Sequence, residues 1–163
     1  MGIGMTKILH VKIPVTDLQR SVSWYVPLMD LELSREFVEQ GALRGAALLS
    51  REGNFSLALR ERASCASQPD LSGFDPVSLH IATRAALEGI VERCDRLGFG
   101  HSPVQNRGPD EAVVDVPDPD GTVLRSYWQR ASDDDDRFMG LAFGDAGEVT
   151  FYDTPQLTVP VQT

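Results

Sequence analysis

Residues Glu111 to Gln129 read EAVVDVPDPDGTVLRSYWQ, and this stretch decides the fold. Val113 to Val116 is a β-branched run, and Thr122 to Trp128 is a second apolar and aromatic run. Between them Pro117-Asp118-Pro119-Asp120-Gly121 is dense turn chemistry, with Pro119 fixing φ and Gly121 supplying the positive φ of a tight reversal. The stretch predicts a β-hairpin.

Working outward, the residues before the hairpin predict a strand over 77–82 and then a helix, with Thr83 as N-cap. Leu87, Ile90, Val91, Cys94 and Leu97 recur at helical spacing until Gly98 stops the run. A further strand over 101–106 completes a β-α-β-β-β order for residues 77–130. The first part of the chain repeats it. Residues 7–15 alternate as a strand, and Thr16 to Gln19 forms a capping box with Thr16 as N-cap. Leu18, Val22 and Tyr25 give a short helix that Pro27 is expected to end. Strands over 31–38, 43–49 and 55–60 follow. His10 and His80 mark the first strand of each half, and Gly53 and Gly121 close the turn before each last strand.

The chain has 163 residues, 42% of them hydrophobic, enough for one well-buried core. One domain over 1–130 is therefore expected, with module one at 7–60, a Ser-, Pro- and Gly-containing linker at 61–76, and module two at 77–130. Residues 131–163 are an extension. Its acidic run Asp133–Asp136 reads as a solvated connector, whereas Phe138–Phe143 and Val149–Tyr152 are too apolar to stay in water. The extension is expected to pack back on the domain or on a partner subunit. A net charge of −9 and a pI near 4.7 argue against nucleic acid and anionic membrane surfaces as partners. With no long apolar segment, a cytoplasmic protein is expected. Cys65 and Cys94 have no metal or redox spacing and read as free thiols.

The segments ILHVKIPVTDLQRSVSWY, VSLHIA and VPDPDGTVL, taken in order, resemble the vicinal oxygen chelate superfamily, the glyoxalase, bleomycin-resistance and extradiol dioxygenase proteins. The resemblance spans residues 7–130. It implies an α+β fold of two βαβββ modules whose mixed sheets curl around a shared cleft. In metal-dependent members, first- and last-strand side chains hold a divalent cation through His and Glu. His10 and His80 match the first-strand positions, and aligning the turns at Gly53 and Gly121 puts Leu57 and Arg125 at the last-strand positions. Neither binds metal. A guanidinium beside a divalent cation adds repulsion of order 4 kcal/mol per unit charge at an effective dielectric near 20. No cofactor is expected; the alternative is a divalent metal on His10 and His80, with Glu61, Glu111 or Asp115 recruited from a shifted register.

Strand parity puts Val123, Arg125 and Tyr127 on one face, and Lys12 on the face of His10. The resemblance makes that face the cleft. His10, His80 and Arg125 are then the catalytic candidates, and Lys12, Tyr127, Trp24 and Phe55 the ligand-binding ones. The set suits an acidic, phenolic or carbonyl small molecule. A plainer reading pairs Arg125 with a nearby carboxylate, leaves the histidines as ordinary strand residues, and puts Trp24 and Phe55 in the core or cleft wall. His101 reads as incidental. Three functions follow: a binding or resistance protein, a metal-free isomerase, cyclase or lyase using His and Arg, or a metal-dependent glyoxalase, epimerase or dioxygenase. Free sheet edges make a homodimer the expected assembly.

Overall fold

A parallel pair of strands needs a long crossover, and the two helices supply it. In the computed structural model, which describes residues 4–52, 54–131 and 138–158, the first module runs β1 (Val11–Val15), α1 (Leu18–Met29), β2 (Leu31–Glu39), β3 (Ala42–Ser50) and β4 (Ser56–Glu61). A 3-10 turn at Arg62–Ser64 follows. The second module runs β5 (Val77–His80), α2 (Arg84–Leu97), β6 (Gln105–Asn106), β7 (Glu111–Pro117) and β8 (Val123–Gln129). The extension forms a hairpin of β9 (Gly140–Phe143) and β10 (Val149–Tyr152). Gly53 and the run Asp133–Asp136 lie outside the described residues.

Both modules give a four-stranded mixed sheet of the same topology, ordered β1-β4-β3-β2 and β5-β8-β7-β6. The first and last strands of each module pair in parallel, and the rest pair antiparallel. This is the βαβββ repeat expected from the sequence, and the sheets remain open rather than closing into a barrel. Each helix covers one face of its own sheet. Ile13, Val15, Leu48, Leu57 and Leu59 bury under Trp24, Tyr25 and Leu28, while Val77, Val114, Val116 and Leu124 bury with Leu87 and Cys94. All of them belong to one continuous core.

Several boundaries differ from the sequence reading. Asp17, not Thr16, caps α1, accepting from the backbone N–H of Arg20 at 2.9 Å. Pro27 does not end that helix: it costs one helical hydrogen bond, but the turn continues to Asp30, which closes it at φ 54° with its N–H donated to the Val26 carbonyl. The first strand begins at Val11, so His10 precedes it. The strand read over 101–106 shrinks to Gln105–Asn106, because Ser102 is drawn to β7 by donating its N–H to the Asp115 carbonyl at 2.8 Å. The linker is not free along its length either. Ser72 bridges Thr122, and the Val123 N–H donates to the Phe74 carbonyl at 2.8 Å.

The turn between β7 and β8 clasps the other module. Asp118, almost fully buried, accepts from the backbone N–H groups of Asp120 and Thr122 and from the phenol of Tyr25, each at 2.9 Å. Asp120 accepts from the Thr16 N–H at 2.9 Å, from the Thr16 hydroxyl, and from Arg20 at 3.1 Å. Trp24 stacks on Phe99 of the second module at 5.4 Å between ring centroids. These contacts fix the modules side by side. No helix among the described residues is long and apolar enough to cross a membrane.

Candidate functional site: one open sheet face and one filled face

Alternation along each strand sends one set of side chains to the helix and the other to the opposite, open face. On the first module the open-face set contains Lys12 on β1, Ala58 on β4, Ala47 on β3 and Arg35 on β2, which are cross-strand partners in a single row. Two cations therefore stand at the ends of a floor that carries only methyl groups. At strand spacings of about 4.8 Å they are about 14 Å apart along the row. The next row is Pro14, Arg60, Gly45 and Phe37. Gly45 is required there, since a Cβ would stand 2.9 Å from the Leu59 carbonyl oxygen and 3.4 Å from the Phe37 ring.

Above this floor lies a cavity of about 560 Å³, walled by Ile8, Leu9, Phe37, Leu49 and Phe55 and bordered by Lys7, His10, Lys12, Arg35 and Arg60. Glu39 is its one acidic residue, and Arg60 holds it with two hydrogen bonds at 2.5 and 2.7 Å. That ion pair keeps the Glu39 carboxyl below its ordinary range. Lys7, Lys12 and Arg35 make no ion pair among the described residues. In a chain of net charge −9, this is a concentrated positive field.

The second module is built differently on the same face. Arg125 lies in register with Asp115 and pairs with it through two hydrogen bonds, at 2.8 and 2.9 Å, and with Asp75 at 2.5 Å. Tyr127 donates its phenol proton to Glu111 at 2.5 Å. These side chains straddle Val113, which they help to bury completely. The hydrogen bonds to Asp115 keep the guanidinium firmly charged, and partial burial together with the Glu111 carboxylate pushes the Tyr127 phenol up to about 12. The face is filled by its own polar ladder.

The predicted site residues thus divide. His10, Lys12 and Phe55 border the first-module cavity, whereas His80, Arg125 and Tyr127 lie on the second sheet, where His80, with Phe55, also borders a second cavity between the modules. Trp24 is in the core, edge-on to Tyr25 and stacked on Phe99, so it forms no wall. Leu57 faces the helix and is buried; the open-face neighbours on that strand are Ser56 and Ala58. His10 and His80 are not equivalent. Val11, Ile13 and Val15 correspond to Val77, Leu79 and Ile81 in their distance from the helix cap, so Pro14 is the counterpart of His80. His101, on a loop, contacts Asp95 at 3.1 Å and the Ser102 carbonyl at 2.8 Å, which raise its pKa.

A divalent metal does not fit these residues. His10 precedes β1 while His80 lies on the second sheet, Leu57 points into the core, and Arg125 already takes two of the nearby carboxylates. Among the described residues no three His, Cys, Asp or Glu side chains converge as a metal site. The residues missed in sequence are Arg35, Ala47, Ala58 and Arg60. The alternation of Arg35, Phe37 and Glu39 against Gly45, Ala47 and Leu49 was the available signal.

Paired βαβββ modules, each an open mixed sheet of the same topology, define the class of fold. The chain belongs to the Glyoxalase/Bleomycin resistance protein/Dioxygenase superfamily, whose sequence profile matches residues 7–125. Among solved structures it is similar to a glyoxylase/bleomycin resistance protein/dioxygenase domain from Frankia sp. EAN1pec, at 21% identity and TM-score 0.65, covering 80% of this chain and 97% of that one. It is also similar to TnmS3, an antibiotic binding protein from Streptomyces sp. CB03234, at 16% identity and TM-score 0.65, covering 78% and 99%. The fosfomycin resistance protein FosX from Listeria monocytogenes aligns at 14% identity and TM-score 0.60, covering 76% and 93%. No curated protein matches the chain by sequence.

Proposed function

We propose that the chain binds a flat, anionic small molecule, an aromatic or phenolic acid or a drug of that type, on the open face of the first sheet. The observation that carries this reading is the in-register row of Lys12, Ala58, Ala47 and Arg35. A floor of small residues admits a planar ring close to the backbone, and a cation at either end attracts its charge. Phe37, Phe55 and Leu49 supply apolar walls for the remainder of the ligand. Two of the similar solved structures are an antibiotic binding protein and a fosfomycin resistance protein, which supports a binding role. The acid–base alternative asks Arg125 to hold a developing oxyanion, but that guanidinium is already neutralised by Asp115 and Asp75.

The test is titration calorimetry with 1-naphthoate and its uncharged analogue 1-naphthalenemethanol. Lys12→Ala and Arg35→Ala should each weaken the acid about tenfold, as expected for a charge-assisted contact of about 1.4 kcal/mol. The alcohol should be unaffected by either change. Ala47→Leu should remove binding of both by filling the floor. Equal binding of acid and alcohol to the unmodified protein would overturn the reading.

The assembly reading is a homodimer. All of β2 after Leu31 is exposed, and Leu33, Phe37 and Val38 on it, with Leu43 on β3, present apolar surface. A sheet edge of this length and character favours self-association over exposure to water. Light scattering that gives a monomer mass at micromolar concentration would count against it.

A further inference from the structure

A second cavity, of about 470 Å³, lies where the end of α1 and the turn before β4 meet the helix-facing side of the second sheet. Its apolar walls include Leu28, Phe55, Leu79, Ile90 and Leu124. It is separate from the groove described above: Leu79, Leu124 and Ser126 face α2, on the side of the sheet opposite Arg125 and Tyr127. Phe55 stands between the two spaces.

Four polar side chains, Asn54, His80, Arg93 and Ser126, interrupt this apolar lining. Ser126, only 3% exposed, is one of the lining residues. Its hydroxyl can donate to a bound acceptor oxygen. Arg93 also lines the cavity. One of its N–H groups donates to the Leu28 carbonyl at 3.1 Å, which anchors the side chain at the junction of the modules. It pairs with no carboxylate among the described residues, leaving the remaining donors of a planar guanidinium directed by that anchor.

We propose that this inter-module cavity is a binding site for a monocarboxylate with a slender apolar body, of the medium-chain fatty acid kind. The carboxylate pairs with Arg93, the Ser126 hydroxyl adds a hydrogen bond, and the chain replaces water against the apolar walls. The ligand touches α1 and the turn before β4 on one side and β5, α2 and β8 on the other. Binding there strengthens the contact between the modules.

The experiment is calorimetry on the full chain with octanoate and with 1-octanol. Octanoate is expected to bind one per chain; Arg93→Gln weakens it at least tenfold and leaves 1-octanol unchanged. Ser126→Leu is expected to remove both ligands by filling the space. If circular dichroism shows that variant unfolded, Ile90→Phe supplies the same steric block from the helix. Ala47→Leu, which blocks only the groove on the first sheet, leaves octanoate binding intact, so the two sites fail or survive separately. The proposal is overturned by absence of saturable octanoate binding, by an unchanged affinity in Arg93→Gln, or by loss of octanoate in Ala47→Leu.

Discussion

The phenol of Tyr25, on the helix of the first module, donates a 2.9 Å hydrogen bond to the carboxylate of Asp118, in the hairpin turn of the second. Both groups are buried, and the acceptor is already held by two backbone N–H groups of its own turn. Tyr25→Phe should therefore cost about 1.5–3 kcal/mol, the range for a hydrogen bond to a charged partner. Urea denaturation measures it; a loss under about 0.5 kcal/mol would mean that packing alone holds the modules.

The neighbouring contact behaves as a unit. Asp120 gathers the N–H and hydroxyl of Thr16 and a guanidinium N–H of Arg20. Asp120→Ala should destabilise by about 1–3 kcal/mol, and the double variant with Thr16→Ala should cost less than the two single changes added together. Strict additivity in that cycle would contradict the pairing.

Alkaline pH should loosen the fold. Burial raises the Tyr25 phenol above its ordinary value, with the Asp118 carboxylate adding to the effect, and burial with Glu111 takes Tyr127 up to about 12. A raised folded-state pKa gives stability that is complete below the unfolded value near 10 and is lost as pH rises through the folded one. Denaturation midpoints should thus fall between pH 9 and pH 11.5, and Tyr127→Phe should reduce the slope. A flat profile over that interval would rule out this linkage.

Arg125 is a scaffold residue by these contacts. Arg125→Ala leaves Asp115 and Asp75 facing each other uncompensated, and should lower stability by about 1–3 kcal/mol while leaving ligand affinity on the first sheet unchanged. A drop in naphthoate affinity without a drop in melting temperature would reverse that assignment. The metal expectation is tested alongside it. Protein prepared without chelator should carry well below one equivalent of divalent metal, as read by elemental analysis.

Local chemistry made much of the fold legible. Thr83 and Gly98 bracket α2 as read, and the turn from Pro117 to Gly121 reverses the chain as its residues require. What the turn's carboxylates bind was not legible, because Tyr25 and Thr16 lie far away in the chain and no local pattern links them. Thr16 was misread as a cap for the same reason: its hydroxyl goes to Asp120, which leaves the capping to Asp17. The histidines misled because they were matched by residue type. Matching the buried series Val11, Ile13, Val15 against Val77, Leu79, Ile81 gives the register that the strands adopt. The groove was missed because alanine and glycine carry no chemical signature, and their value lies in the space they leave between Lys12 and Arg35.

The unequal faces of the two sheets also divide the labour of divergence. Substitutions of Arg125, Asp115, Tyr127 or Glu111 on the second sheet break pairings already made there, so change on that half carries a stability cost. The first sheet has a floor whose residues hold up nothing above them. On the proposed binding reading, ligand preference changes with Ala47, Ala58 or Arg35 while the core beneath stays as it is. In that reading one module serves as ballast and the other as the exchangeable part.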